Sequence, residues 1–138
     1  MGNLGETGVD EFAVAVLKFP DGMLAHLAAG VSVNMDNILR VWGDAGHIVV
    51  PGPWVTNRGT AGDSVLLVHR EGQAVEEITV HADRNAYSIE ADTVADSIGD
   101  REAVAMPWAD TLGNMRTLDR WRAEIGLAYE ASGEPGGG

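Results

Sequence analysis

Four histidines, His26, His47, His69 and His81, are the side chains of this 138-residue sequence best suited to hold a metal ion or move a proton. No two stand at i, i+4 and no H-E-x-x-H occurs, so a zinc site made of them would have to come from fold geometry alone. Three fall in segments with strand pattern, where a surface or interface imidazole is the ordinary explanation. His81-Ala82-Asp83 leaves the last such segment and could build a small active site with loop residues, or equally cap the helix that follows. Gly2, Gly5 and Gly8 have the spacing of a phosphate cradle, but a dinucleotide fingerprint needs a strand before it and a helix after it. Here they run into a strand, so residues 1–9 read as a flexible lead-in. Trp54, in Pro51-Gly52-Pro53-Trp54, is the aromatic outside a regular element that could touch a ligand or pack over a sheet edge. No G-x-S-x-G, P-loop or paired-carboxylate signature is present. The sequence therefore offers no catalytic, cofactor-binding or metal-binding residue of its own.

Composition excludes several classes of partner. Nine basic against twenty-one acidic residues give a formal charge of −12, a field that repels phosphate backbones and anionic membranes. No apolar run approaches the roughly 20 residues of a membrane span, and residues 1–10 lack the basic start and apolar stretch of a signal peptide. The absence of cysteine removes disulfides and thiolate metal sites and fits a cytoplasmic protein.

The elements that would position any site begin with a hairpin over residues 10–33, turned at Phe19-Pro20-Asp21-Gly22-Met23. Pro20 presets φ for a type I turn, and Gly22 can take the positive φ that closes a three-residue loop. Without Pro20, a two-residue Asp21-Gly22 loop would serve as well and would shift every pairing by one. In the three-residue register one face carries Ala13, Ala15, Leu17, Phe19, Met23, Ala25, Leu27, Ala29 and Val31. The other sets Phe12, Val14, Val16 and Lys18 opposite Gly30, Ala28, His26 and Leu24. Neither face is made for water, so both require cover.

Alternation continues through 38–42 and 47–50, joined by Gly43-Asp44-Ala45-Gly46, and through 64–70 and 73–80, joined by Glu71-Gly72. The period then changes to 3.6. Tyr87, Ala91, Val94, Ala95 and Ile98 line one helix with Asn85 as its N-cap. Leu112, Met115, Leu118, Trp121 and Ile125 line a second, beginning near Pro107 or Trp108 and stopped by Gly126. The expected fold is α+β: an open, six-stranded, mainly antiparallel sheet with two helices packed on one face. The other face is left as an oligomer interface centred on Phe12, Val14, Val16, His26, Ala28 and Gly30. Residues 10–130 form the domain, and 131–138 read as a disordered tail.

Four blocks carry a family resemblance: the hairpin start Asp10-Glu11-Phe12 to Asp21-Gly22, Val41-Trp42-Gly43-Asp44-Ala45-Gly46, the first helix from Tyr87 to Ile98, and Asp110-Thr111-Leu112 through Tyr129. In order and spacing they resemble the C-terminal domain of the Gfo/Idh/MocA oxidoreductases, the glucose-fructose oxidoreductase and inositol dehydrogenase family. The resemblance implies a sheet whose uncovered face packs on a second subunit, and a separate nucleotide-binding domain, in cis or in trans, that holds NAD or NADP. It also implies that the family's lysine in Glu-Lys-Pro and its Asp and His on a helix do the proton chemistry. This sequence contains neither Glu-Lys-Pro nor Asp-x-x-x-His, and Asp44-Ala45-Gly46-His47 has the residue types at the wrong spacing. What carries over is the role of a substrate-cavity and oligomerisation domain of a sugar- or polyol-type oxidoreductase, binding no cofactor itself. The alternative is a freestanding small-molecule-binding protein using the open sheet face around His26 and Ser32.

Overall fold

A computed structural model describes residues 1–54 and 59–129. The expected tail and part of the loop after Trp54 lie outside the described residues. The strands are β1 (Gly2–Leu4), β2 (Asp10–Lys18), β3 (Leu24–Gly30), β4 (Ile38–Gly43), β5 (Gly46–Pro51), β6 (Gly62–Arg70) and β7 (Glu76–Ala82), followed by helices α1 (Ala86–Ser97) and α2 (Trp108–Ile125). The α+β class holds, but the single six-stranded sheet does not. The strands form two antiparallel sheets, ordered β1-β2-β3 and β4-β5-β6-β7. They belong to two compact units, one made of Met1–Met35 with the chain from Trp108 onward, the other of Asp36–Pro107.

In the first unit the hairpin has the three-residue loop. Phe19 N–H donates to Met23 O at 2.9 Å, and Gly22 N–H donates to Phe19 O at 3.0 Å. Gly22 sits at φ +90°, and Met23 N–H donates to the Asp21 carboxylate at 3.2 Å. Pairing follows in the expected register, with Phe12 opposite Gly30, Val14 opposite Ala28 and Val16 opposite His26.

The sheet ends there for a local reason. Beyond Gly30, Val31 N–H and Ser32 N–H both donate to the Glu11 carbonyl, at 2.8 and 3.3 Å, and the Ser32 hydroxyl donates to it as well. Gathering three donors onto one acceptor curls the chain out of the ladder, so β4 begins a new sheet instead of extending this one. The free edge of β2 is taken by β1, which the sequence does not announce. Gly5 N–H bonds Val9 O and Gly8 N–H bonds Gly5 O, with Gly8 at φ +79°, so the glycine-spaced lead-in turns back as a hairpin.

Helix α2 approaches the hairpin where Leu17, Phe19 and Leu27 face Leu118 and Trp121. At its C-terminal end Ile125 rests over Gly2, where a Cβ would come within 2.9 Å of Ile125 Cγ2. The helix stops as the sequence indicates. Gly126 takes φ +77°, its N–H donates to Ala123 O at 3.1 Å, and Leu127 N–H donates to Arg122 O at 2.9 Å. These two bonds make a Schellman cap, and its apolar member Leu127 is 7% exposed, one of two apolar residues buried among those described. The other is Ala13, at 4%, in the centre of β2.

In the second unit β4 and β5 turn tightly at Asp44-Ala45, with Gly43 opposite Gly46. Gly46 carries the unusual angle, φ +147°, and a Cβ there would fall 2.0 Å from His69 O. The connection between β6 and β7 is longer than expected. Gln73 N–H closes a turn onto Arg70 O, but the ladder resumes only at Glu76, opposite Val68. Helix α1 is capped by Asn85, whose side chain accepts Ser88 N–H at 2.9 Å. The two helices thus do not share one sheet face as expected: α2 belongs to the first unit and α1 to the second.

Two glycines of α2 and its cap should respond to alanine with opposite signs. Gly126→Ala forces a Cβ into the left-handed region and should lose about 1–2 kcal/mol. Gly113→Ala places a better helix former where nothing lies within 4 Å, and should gain up to about 1 kcal/mol. Urea unfolding followed by circular dichroism measures both, and equal effects would contradict the cap.

Candidate functional site

Residues with functional potential gather in two places in the first unit and in three in the second. The outer face of the β2–β3 hairpin gathers all six candidate interface residues, because residues paired across an antiparallel ladder share a face. Large side chains on β2 stand beside small ones on β3. Phe12 covers Gly30, where a Cβ would meet Phe12 Cβ at 2.9 Å and Val33 Cγ2 at 2.7 Å. Val14 is half-buried, whereas Val16 is 75%, Leu24 65% and Phe12 38% exposed. The face is mostly apolar, with Lys18 and His26 as its ionisable members.

The opposite face of the same hairpin meets α2 incompletely. A cleft of about 390 Å³ lies between them, walled by Leu17, Phe19 and Leu27 from the sheet and by Leu118 and Trp121 from the helix. It exists because Ala109, Gly113 and Thr117, spaced four apart, give α2 a low stripe there. The apolar helix pattern is legible in the sequence as cover for the sheet and does not by itself show the gap. The small residues that leave the gap were the available signal. Within this contact the Trp121 indole Nε1 is enclosed and has no hydrogen-bond partner among the described residues.

The second unit carries the remaining sequence candidates. Trp54 stands at the rim of an open cleft of about 390 Å³ with Tyr87, Arg84, Glu90, Ser64 and Val80, where the end of β7 meets the start of α1. Arg84 is engaged there by Asp92. His81 does not pair with Asp83. Its Nδ1 lies 2.6 Å from Asp63 Oδ1, its partner across the β6–β7 ladder, and Asp83 lies 3.9 Å from Arg84. A carboxylate on Nδ1 orients an imidazole as in an acid-base dyad. The two side chains are 70% and 59% exposed, and among the described residues the dyad has no companion nucleophile in its hydrogen bonds, so it reads as a surface pair.

His47 and His69 are directly opposed on β5 and β6, and their rings stack at 4.3 Å and 5°. Trp42 is opposite His47, which makes an aromatic row across three strands. Asp63 and His69 are six residues apart on β6, roughly 20 Å along a strand, so the dyad and the stack are separate. Among the described residues no group of three or more His, Asp or Glu side chains could hold a metal ion. No helix among them is long and apolar enough to cross a membrane. Comparisons with protein-family models, curated proteins and solved structures find no match to this chain.

Both imidazole arrangements lead to measurable expectations. Asp63→Ala should change stability by no more than about 1 kcal/mol, the range of an exposed ion pair, and a larger loss in urea melts would give the pair a structural role. A double-mutant cycle of His47→Ala and His69→Ala at pH 8 should return a coupling of about 0.2–1 kcal/mol, that of a cross-strand aromatic pair. Zero coupling would mean that the rings do not stack in solution.

Proposed function

We propose that this chain is the substrate-cavity and oligomerisation domain of an NAD(P)-dependent sugar- or polyol-type oxidoreductase of the Gfo/Idh/MocA kind. In this reading it is not catalytic alone. The carrying observation is the outer face of the β2–β3 hairpin: it holds Phe12, Val14, Val16, His26, Ala28 and Gly30 in one register, and Val16 and Leu24 stay more than half exposed. An apolar face of this kind on a central strand calls for a second apolar surface, and a second copy presents a self-complementary one about a two-fold axis. The four sequence blocks that resemble the family support the same assignment.

The division of labour follows from the chemistry of the side chains. Hydride transfer requires a nicotinamide carrier, and proton transfer requires a base positioned beside the substrate carbinol. In this reading a nucleotide-binding domain, in cis or in trans, brings NAD or NADP and the acid-base groups. The present chain shapes the cavity and holds two such active units together, in the cytoplasm.

Sedimentation velocity tests the interface. The chain should sediment as a dimer, and Ala28→Arg or Val16→Glu should leave monomers with an unchanged circular dichroism spectrum. A wild-type chain that is already monomeric would overturn the dimer and favour the alternative, a freestanding protein that binds a small molecule on this face. NADH fluorescence should not change when the chain is titrated in. Micromolar binding would refute the assignment of the cofactor to another domain.

A further inference from the structure

We propose that the cleft where the end of β7 meets the start of α1 is a binding site for a small organic cation, a quaternary or N-methylated ammonium group held by the rings of Trp54 and Tyr87 with Glu90 as its counter-charge. The site lies wholly within the second unit and is independent of the dimer proposed for the first.

Two observations converge on it. The first is a pair of aromatic rings at one cleft of about 390 Å³, a volume within the roughly 300–1,000 Å³ of small-molecule sites. Gly52, at φ +59° with its N–H on Asn37 O at 2.7 Å, turns the chain out of β5 ahead of Trp54, and Tyr87 comes from the first turn of α1. Neither ring is tucked into the unit. Trp54 is 64% and Tyr87 57% exposed, and among the described residues neither contacts another ring. A cation over the face of such a ring is attracted by its quadrupole. The second observation is an unpaired carboxylate. Glu90 follows Tyr87 by one turn of α1 and lines the same cleft, and among the described residues it has no hydrogen bond or ion pair.

The neighbouring charges decide between a cation and an anion. Arg84 also lines the cleft, and together with the N-terminus of α1 it would suit a phosphate if both were open. Arg84 is instead engaged by Asp92, with Asp83 3.9 Å away, and the Asn85 side chain caps the helix by accepting Ser88 N–H at 2.9 Å. One guanidinium therefore stands among three carboxylates, a balance that the roughly half charge of a helix end does not reverse. The chain as a whole is at −12, so the long-range field also gathers cations. The walls narrow the class further. Val80, Ala82 and Ile89 present hydrocarbon. A metal ion or a primary ammonium needs several converging acceptors, and among the described residues no metal-holding cluster of carboxylates and histidines is found. A methylated ammonium needs no hydrogen bond: its methyl groups suit the apolar wall, and its charge suits the rings and Glu90.

The test titrates choline, and dimethylbutanol in which a tert-butyl group replaces the trimethylammonium, into the full ¹⁵N-labelled chain at physiological salt. Choline should move the Trp54 indole resonance, assigned through Trp54→Leu, and the amides of α1. It should bind about fivefold to twentyfold more tightly than the alcohol, the ratio that two exposed cation–π contacts provide. Tyr87→Phe, which keeps the ring, should preserve that preference, whereas Tyr87→Leu and Trp54→Leu should each cut it about twofold to fivefold. Glu90→Gln should weaken choline and leave the alcohol unchanged. Choline binding should persist in Ala28→Arg, so failure of the dimer and failure of this site are read separately. Equal affinity for the two probes, a preference that survives both leucine variants as that of a merely acidic surface would, tighter binding of inorganic phosphate than of choline, or no binding of choline at millimolar concentration would overturn the proposal.

Discussion

Strand β2 is flanked along one edge by β3 and over its first half by β1, it is largely apolar on both faces, and the first unit is built around it. Its backbone groups are paired by β3 from Phe12 to Lys18 on one side and by β1 from Asp10 to Ala13 on the other. Its side chains have no such symmetry. Ala13, Ala15 and Leu17 share the face on which Leu17 meets α2, whereas Phe12, Val14 and Val16 share the other. A strand of this composition belongs in the middle of two layers, and the unit itself supplies one. The proposed function grows from that imbalance, with the second layer supplied by another molecule or another domain in that proposal.

The division into two sheets shows how small an interaction sets topology. The apolar alternation after Gly30 would have allowed β4 to line up beside β3. The Glu11 carbonyl intervenes by accepting both backbone N–H groups of Val31 and Ser32 and the Ser32 hydroxyl. Each bond contributes about 0.5–1.5 kcal/mol, and together they compete with the first rungs of a new ladder. The chain therefore leaves the first sheet and starts the second at Ile38. In that sheet Gly46 has the matching role: its backbone runs so close to His69 that only a residue without Cβ lets β5 and β6 approach.

Features encoded within a few residues were legible in the sequence. Pro20, Asp21 and Gly22 define the turn, and the turn defines seven rungs of register. Asn85 and Gly126 mark helix ends through caps made of adjacent backbone groups. What escaped were features decided by partners distant in sequence. β1 has no alternation to announce it, and its Gly2 makes sense only beneath Ile125. His81 takes Asp63 instead of the neighbouring Asp83 because the ladder, not the sequence interval, sets who faces whom. The stripe of Ala109, Gly113 and Thr117 is silent until the sheet opposite shows that the gap is left open. The site is therefore less legible than the fold: its outer face follows from turn and register, while its cleft follows from tertiary fit.

The charge of the chain bears on how the outer face would be used. Burying side chains such as Val16 and Leu24 fully contributes about 1.5–3 kcal/mol each, and a two-fold pair would count each contribution twice. Against this stand the loss of translational and rotational freedom, about 4–15 kcal/mol, and the mutual repulsion of two chains at −12. The apolar gain is insensitive to moderate salt, but the repulsion is screened over about 10 Å at 0.1 M ionic strength. The proposed association through this face would consequently be strengthened by salt, the reverse of an assembly held by ion pairs. In the proposed dimer the same repulsion would oppose indiscriminate association through this face, and a well-fitted apolar partner would be needed to overcome it.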